Sequence, residues 1–370
     1  MMTNIITPAS QRTDTINFIL RGQPQHIAHE KTFHEAAKQC GTLNLIYGCA
    51  NQPRDDADPF YQEERIEVGK RITANFKQKY NCDVNFLSVE NSIYNNTQWG
   101  NWVAEAVAPY AHGKVKLIGH NKDDTSFYLN MFPQWGEPIL LPQFDVLDAS
   151  TIRNLYFSKK NNLDFFRHVC PDATISFLEE FMHTEAYDYI VEEANYIKKY
   201  REQTRAGQKY APTFQTGDAI VIKSNHVLMI QRRSQPGKDL WAFPGGFLRS
   251  EDEMVNGELK KADLDVVDTA LRELTEETRI KLPPALLRGS IRAEKRFMHP
   301  KRSRRGRVTT TAQLIVLDDS EYKGFPKVKA RDDAKQAEWV HMNDVKRRES
   351  FEDHFDMLLW ARAMTSDVRL

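Results

Sequence analysis

Arg272-Glu273-Leu274-Thr275-Glu276-Glu277 sets three carboxylates at positions i, i+3 and i+4. Read as a helix, those positions stack on one face. Val267, Ala270, Leu271 and Leu274 fall on the opposite side and make an apolar stripe that can pack. One face enters a core and the other carries dense negative charge. Like charges so placed weaken a bare helix. A divalent cation held between them reverses that penalty. Hard carboxylate oxygens suit Mg²⁺ or Mn²⁺, ions that reach a substrate diphosphate. A solvated acidic face is the ordinary reading of a charge run. The stretch Trp241-Ala242-Phe243-Pro244-Gly245-Gly246-Phe247 upstream displaces it.

The two stretches together resemble the Nudix box, G-x5-E-x7-R-E-U-x-E-E-x-G-U, where U is bulky and apolar. Nudix enzymes hydrolyse nucleoside diphosphates linked to another group. Gly246 matches the opening glycine, and Arg272, Glu273, Leu274, Glu276, Glu277 and Ile280 match the second half. Arg279 stands where the motif has its last glycine, and Arg272 follows Gly246 by 26 residues, farther than the motif spacing. The extra residues fall within 248–265, with Glu251 and Glu253 as candidates for the first motif glutamate. The resemblance implies Gly246, Glu273, Glu276 and Glu277 as the metal set, with Glu276 and Glu277 catalytic.

The chain around this box has 370 residues, room for two domains of roughly 100–200 residues each. Lys+Arg and Asp+Glu both number 51, so no global basic field points to nucleic acid. No apolar run approaches the roughly 18 residues of a membrane span. Residues 1–11 are polar and lack the apolar core of a secretory signal. A cytoplasmic protein without a membrane partner is expected. Cys40, Cys49, Cys82 and Cys170 fit neither a C-x-x-C nor a zinc pattern and read as reduced, mostly buried thiols.

Before the box, apolar strands alternate with amphipathic helices. Strands are expected at 16–20, 43–47, 84–89 and 115–118, and helices at 29–38, 61–76 and 99–110. That alternation argues for a parallel α/β sheet with right-handed crossovers. A helix over 176–200 ends the unit. The polar segment 201–213, with Gly207 and Pro212, reads as a linker. Beyond it, 219–222 and 227–231 read as paired strands. The glycine loop, the acidic helix and strands near 289–291, 308–316 and 338–340 follow, an α+β arrangement. The expected division is 14–200, linker 201–213, and 214–370.

Two stretches of the first half carry chemistry. His26-Ile27-Ala28-His29 opens a helix just after the first strand, and Asp148-Ala149-Ser150-Thr151-Ile152-Arg153 precedes another. Imidazoles beside free helix N–H groups suit phosphate, as do hydroxyls and a guanidinium. Surface histidines and a hydroxyl N-cap are the plainer readings of the same residues. Together they resemble the H-x-G-H and I-S-S/A-T-x-x-R loops of the nucleotidyltransferase superfamily, with Ala28 in place of the glycine. More specifically, the first half looks like nicotinamide mononucleotide (NMN) adenylyltransferase of the archaeal type. The stretches 48–54, Tyr94-Asn95-Asn96-Thr97-Gln98-Trp99 and Leu117-Ile118-Gly119-His120-Asn121-Lys122-Asp123 extend the likeness. The resemblance implies His26, His29 and Arg153 as catalytic, and Ser150, Thr151 and Lys122 as ATP and phosphate contacts. It implies Asn96, Trp99 and Arg54 as NMN contacts.

The two halves in this order resemble the bifunctional NMN adenylyltransferase/Nudix hydrolase family, from about residue 15 to about 345. That implies an α/β nucleotidyltransferase domain with a Rossmann-like parallel sheet, followed by an α+β Nudix domain. It implies that NMN attacks the α-phosphorus of ATP to give NAD and pyrophosphate. It also implies that ADP-ribose is cleaved to AMP and ribose 5-phosphate, with Mg²⁺ or Mn²⁺. The general base stays open between the glutamates and Asp332-Asp333. A homo-oligomer, dimeric through the Nudix domain, is expected, and the basic run 301–307 reads as a substrate-phosphate or dimer-interface loop. A rival reading makes the second half a non-catalytic ADP-ribose sensor or dimerisation module.

Overall fold

A computed structural model describes residues 12–121, 124–142, 144, 148–158, 163–255, 258–318 and 323–365. The chain divides into two compact units after Glu192.

The first unit is built on β1 (Thr13–Leu20), β2 (Cys40–Ala50), β3 (Asp83–Glu90), β4 (Val115–Gly119) and the short β5 (Ile139–Leu140). All pairings are parallel, in the order β3-β2-β1-β4-β5. Its helices are α1 (Ile27–Gln39), α2 (Gln62–Thr73), α3 (Phe76–Tyr80), α4 (Asn96–Val107), α5 (Ala149–Tyr156), α6 (Leu163–Phe166) and α7 (Asp172–Phe181). Both faces of the sheet are covered, so the middle of β1 (Thr15–Phe18) and of β2 (Leu43–Tyr47) is buried throughout. Ile16, Phe18, Leu43 and Leu45 pack with Phe33 and Ala36 of α1, while Ile46 and Leu117 pack with Val103 and Val107 of α4. Strand order reverses between β1 and β4, and the crevice at the carboxyl ends there is where open α/β sheets bind ligands.

Two expected helices are each two. The helix over 61–76 breaks into α2 and α3. The helix over 176–200 ends at Phe181, and α8 (Glu185–Arg205) restarts where the Thr184 hydroxyl accepts the Tyr187 amide. α8 continues five residues into the segment 201–213. From residue 193 onward its contacts lie with the second unit, where Glu193 accepts the Gly237 amide at 2.7 Å.

The second unit holds a seven-stranded mixed sheet. Its path is β12 (Ile291–Phe297), β13 (Arg307–Val316), β6 (Thr213–Lys223), β7 (His226–Arg232) and β14 (Ala334–His341). β8 (Trp241–Ala242) joins β7, and β9 (Gly245–Phe247) joins β6. The acidic helix is α9 (Val266–Thr278); α10 (Pro284–Gly289) and α11 (His354–Thr365) complete the unit. Ala270, Leu271 and Leu274 of α9 bury against Ala219, Val221, Leu228 and Ile315, as the apolar stripe requires. Gly217 permits the approach: a Cβ there would lie 2.4 Å from the Val266 carbonyl oxygen. The residues added to the motif form a separate hairpin, β10 (Glu253–Val255) with β11 (Glu258–Lys260), between β9 and α9.

Candidate functional site

In the first unit the β1–α1 loop delivers His26 and His29 to the switch point. His26 is the N-cap of α1, and its amide donates to Nδ1 of His29 at 3.2 Å. With Nδ1 accepting, a neutral His29 carries its proton on Nε2. The two rings lie 4.0 Å apart. Across the switch, His120 after β4 meets Thr32 of α1, Nε2 to Oγ1, at 3.0 Å.

The start of α5, from Asp148, comes to the same place. Asp148, not a hydroxyl, caps α5, accepting the Ser150 and Thr151 amides and the Thr151 hydroxyl. The Thr151 amide bond leads in holding its carboxyl below the usual range. Arg153 is buried. It donates to the Gln23 carbonyl in the β1–α1 loop, to the Asp56 carbonyl at 3.1 Å and to Ser150 Oγ at 3.0 Å. The guanidinium therefore ties α5 to the loop that leads into His26, with burial lowering its proton affinity.

Asn96 and Trp99 share the first turn of α4, capped by Asn95. Asn96 is exposed, and Trp99 is half-buried edge-on to Tyr128 and Phe132. Arg54 is bidentate to Glu64 of α2 at 2.7 and 2.8 Å, and its guanidinium lies 3.7 Å from the Tyr61 ring. Lys122 lies outside the described residues.

In the second unit Arg272 organises the acidic face. It donates to Glu273 at 2.6 Å, to Glu276 at 3.0 Å and to the Phe247 carbonyl at 3.1 Å. It also grips Asp263 through two bonds of 2.8 Å. Burial raises the Asp263 carboxyl, but bonds from Arg272, the Arg249 amide and Thr269 outweigh it and hold the group at about 2. Glu277 is buried and accepts the Gly245 amide at 3.0 Å. Burial, reinforced by Glu273, pushes it well above the ordinary carboxylate range. Burial also raises Glu273, against the pull of Arg272. Glu273 sits directly on the turn: a Cβ on Gly246 would fall 2.3 Å from its Oε1.

These groups fit a hard divalent cation in donor chemistry, because the crowded anionic oxygens of Glu273 and Glu277 are those a cation would relieve. Among the described residues no three His, Cys, Asp or Glu side chains converge as a metal-holding set. Arg272 spans Glu273 and Glu276, while Glu277 turns to Gly245.

The carboxylate opposite Arg272 is Asp263, not Glu251 or Glu253. Glu251, before the inserted hairpin, and Glu253, at its start, are both exposed, and the chain returns at Asp263. Only the contact could reveal this, since the insertion erased the spacing. Arg279 takes a left-handed C-cap conformation, φ 47°, which explains the motif's glycine there as a backbone requirement. Asp218, missed in the sequence, lies buried opposite Gly245 and is pushed up to about 6, chiefly by burial. The basic run 301–307 is neutralised in part: Arg302 forms a buried bidentate pair with Asp353, and Arg305 meets Glu352 at 3.4 Å. All four cysteines are free, and among the described residues no helix is long and apolar enough to cross a membrane.

The Nudix domain profile matches residues 213–361. A nicotinamide/nicotinic acid mononucleotide adenylyltransferase of Acinetobacter baylyi is 32% identical over 192 residues, 51% of this chain and 95% of that protein. A crystal structure of a bifunctional NMN adenylyltransferase/ADP ribose pyrophosphatase from Francisella tularensis is 28% identical. It matches with a TM-score of 0.82 over 94% of this chain and 98% of that one. A second from the same organism, complexed with AMP and a manganese ion, is 27% identical, with a TM-score of 0.80 over 95% of this chain and 99% of its own. Fold and site define a nucleotidyltransferase and a Nudix pyrophosphohydrolase in one polypeptide. The chain belongs to the bifunctional NMN adenylyltransferase/Nudix hydrolase family.

Proposed function

We propose that residues 14–200 transfer AMP from ATP to NMN, giving NAD and pyrophosphate. Residues 214–370, after the linker 201–213, hydrolyse ADP-ribose to AMP and ribose 5-phosphate. Adenylyl transfer asks little covalent chemistry of the protein; positioning and charge neutralisation carry it. His29 donates from Nε2 to ATP phosphate, with His26, Ser150, Thr151 and Lys122 completing the cradle. Arg153 contributes charge while fixing both loops. Trp99 stacks on the nicotinamide and Asn96 bonds its amide. Arg54 contacts NMN. The observation that carries this reading is the Arg153 bridge, which joins the Ser150 end of α5 to the loop leading into His26.

In the second unit Glu273, Glu276, Glu277 and Gly246 would hold Mg²⁺ or Mn²⁺. When bound, the ion polarises a phosphoryl oxygen and lowers the pKa of the attacking water. Arg272 orients the carboxylates and the Phe247 carbonyl, and Gly245 orients Glu277. A dimer through this domain is part of the same reading.

Product analysis tests both halves: NMN with ATP and Mg²⁺, and separately ADP-ribose with Mg²⁺. His29→Ala is expected to abolish most NAD synthesis and spare hydrolysis. Glu276→Gln is expected to cut hydrolysis by orders of magnitude and spare NAD synthesis. Equal NAD synthesis by wild type and His29→Ala removes the first assignment. ADP-ribose bound but uncleaved by the wild type replaces the second with the sensor reading.

A further inference from the structure

We propose that Cys40 and Cys82 are a redox modification site of the first unit, a dithiol that a small hydroperoxide converts into a disulfide clamp. The pair follows from how three elements meet. Cys40 is the C-cap of α1 and the first residue of β2. Cys82 lies between Asn81, the left-handed cap of α3, and Asp83, the first residue of β3. β2 and β3 are parallel neighbours with Thr42 opposite Asp83, so the two cysteines enter the sheet side by side. Their Sγ atoms lie 3.7 Å apart, in the cluster that holds Phe33, Phe76 and Tyr80. A bond of about 2 Å asks the side chains to turn toward each other, not the strands to change partners.

Two thiols in contact are ordinary core packing; a guanidinium beside them is not. Arg12 donates to the carbonyls of Ala37, Cys40 and Tyr80, where α1 and α3 end. The two sulfurs are then unequal. The Cys40 thiol donates to Cys82, while the Cys82 proton is held only by the Asp83 carbonyl at 3.5 Å. The bond from Cys40 lowers the Cys82 thiol, burial opposes it, and the Arg12 charge adds to the lowering. Cys49 and Cys170 go the other way, pushed up by burial to about 11 and about 12. Cys82 is therefore the attacking sulfur and Cys40 the one that resolves. Cys82 is buried between exposed Asn81 and Asp83, a cover that a small oxidant can pass. The Cys82 thiolate takes one peroxide oxygen, the O–O bond breaks, and the other oxygen leaves as hydroxide. The Cys40 sulfur then attacks Cys82 Sγ; the S–O bond breaks, and that oxygen leaves as water with the Cys40 proton. Two thiols and one hydrogen peroxide give one disulfide and two waters. The 13 residues of α1 put the pair about 20 Å from His26, apart from the phosphate loops.

The test treats the reduced full chain with hydrogen peroxide, alkylates it in denaturant and maps its peptides by mass spectrometry. Before treatment the four cysteines alkylate. Afterwards only Cys49 and Cys170 are expected to do so, with Cys40 and Cys82 in one cross-linked pair of peptides that dithiothreitol separates. Cys40→Ser is expected to leave Cys82 as a sulfenic acid that dimedone traps. Cys82→Ser is expected to slow thiol loss at least about tenfold. Because the bridge ties the junction of α1 and β2 to the start of β3, it is expected to raise the unfolding midpoint of the first unit by about 4–12 °C, reversibly with dithiothreitol. Four free thiols after treatment overturn the proposal, as does a bridge through Cys49 or Cys170. Thiol loss in Cys82→Ser as fast as in wild type overturns it too, and so does an unmoved midpoint in the bridged protein. If a serine variant does not fold, the wild-type peptide map and midpoint decide alone.

Discussion

Replacing Arg272 with alanine removes the hub of the acidic face, and the structure sets the size of the effect. Asp263 is held at about 2 against an ordinary carboxyl near 3.8, and its side chain is only 5% exposed. A shift of that size corresponds to roughly 2 kcal/mol of stability. The Arg249 amide and Thr269 would remain, keeping part of it. Against this, Glu273 and Glu276 would lose their counter-charge, so a net loss of about 2–3 kcal/mol is expected. For a unit of this size that is roughly 4–12 °C in the midpoint of its unfolding. The pH dependence has a definite sign. Asp263 has a folded pKa below its unfolded one, so its contribution is complete above about pH 5 and fades as pH falls through 4 toward 2. Scanning calorimetry of the full chain at pH 7, 5 and 3 should show wild type and Arg272→Ala far apart at neutral pH and converging in acid. A difference under about 1 °C at pH 7, or one that does not shrink by pH 3, would refute the reasoning.

Trp99→Ala should raise KM for NMN by up to about 30-fold, the loss of a cation–π contact of roughly 0.5–2 kcal/mol, with little change for ATP; equal losses for both substrates would mean a folding defect instead. Gly217→Ala pushes a methyl against the Val266 carbonyl and should destabilise the second unit by about 1–3 kcal/mol with NAD synthesis retained; an unchanged melting profile would contradict the close approach of α9. Arg279→Gly should stabilise the same unit by about 1 kcal/mol without altering ADP-ribose hydrolysis, because it relieves a left-handed C-cap; a lower midpoint would show that the side chain matters. A fragment of residues 1–205 should still make NAD from NMN and ATP, and its inactivity despite cooperative unfolding would argue against the proposed domain limits.

The alternating strands and helices of the first half and the apolar stripe of α9 were legible in the sequence. Both depend on periodicities of two and 3.6 that operate over a few residues. The three glutamates were legible for the same reason, since helical spacing alone puts Glu273, Glu276 and Glu277 on one face. The partners of those residues were not. Arg153 finds the Gln23 carbonyl 130 positions away, and Arg272 finds Asp263 across an inserted hairpin that breaks the motif spacing. Glu277 finds the Gly245 amide only because β9 pairs with β6 and α9 packs on β6 over Gly217. Thus the sequence by itself determined which elements form and which face of each carries charge. Tertiary structure decided which charged group meets which, because that depends on strand register and on how closely α9 approaches the sheet, and neither is written in local spacing.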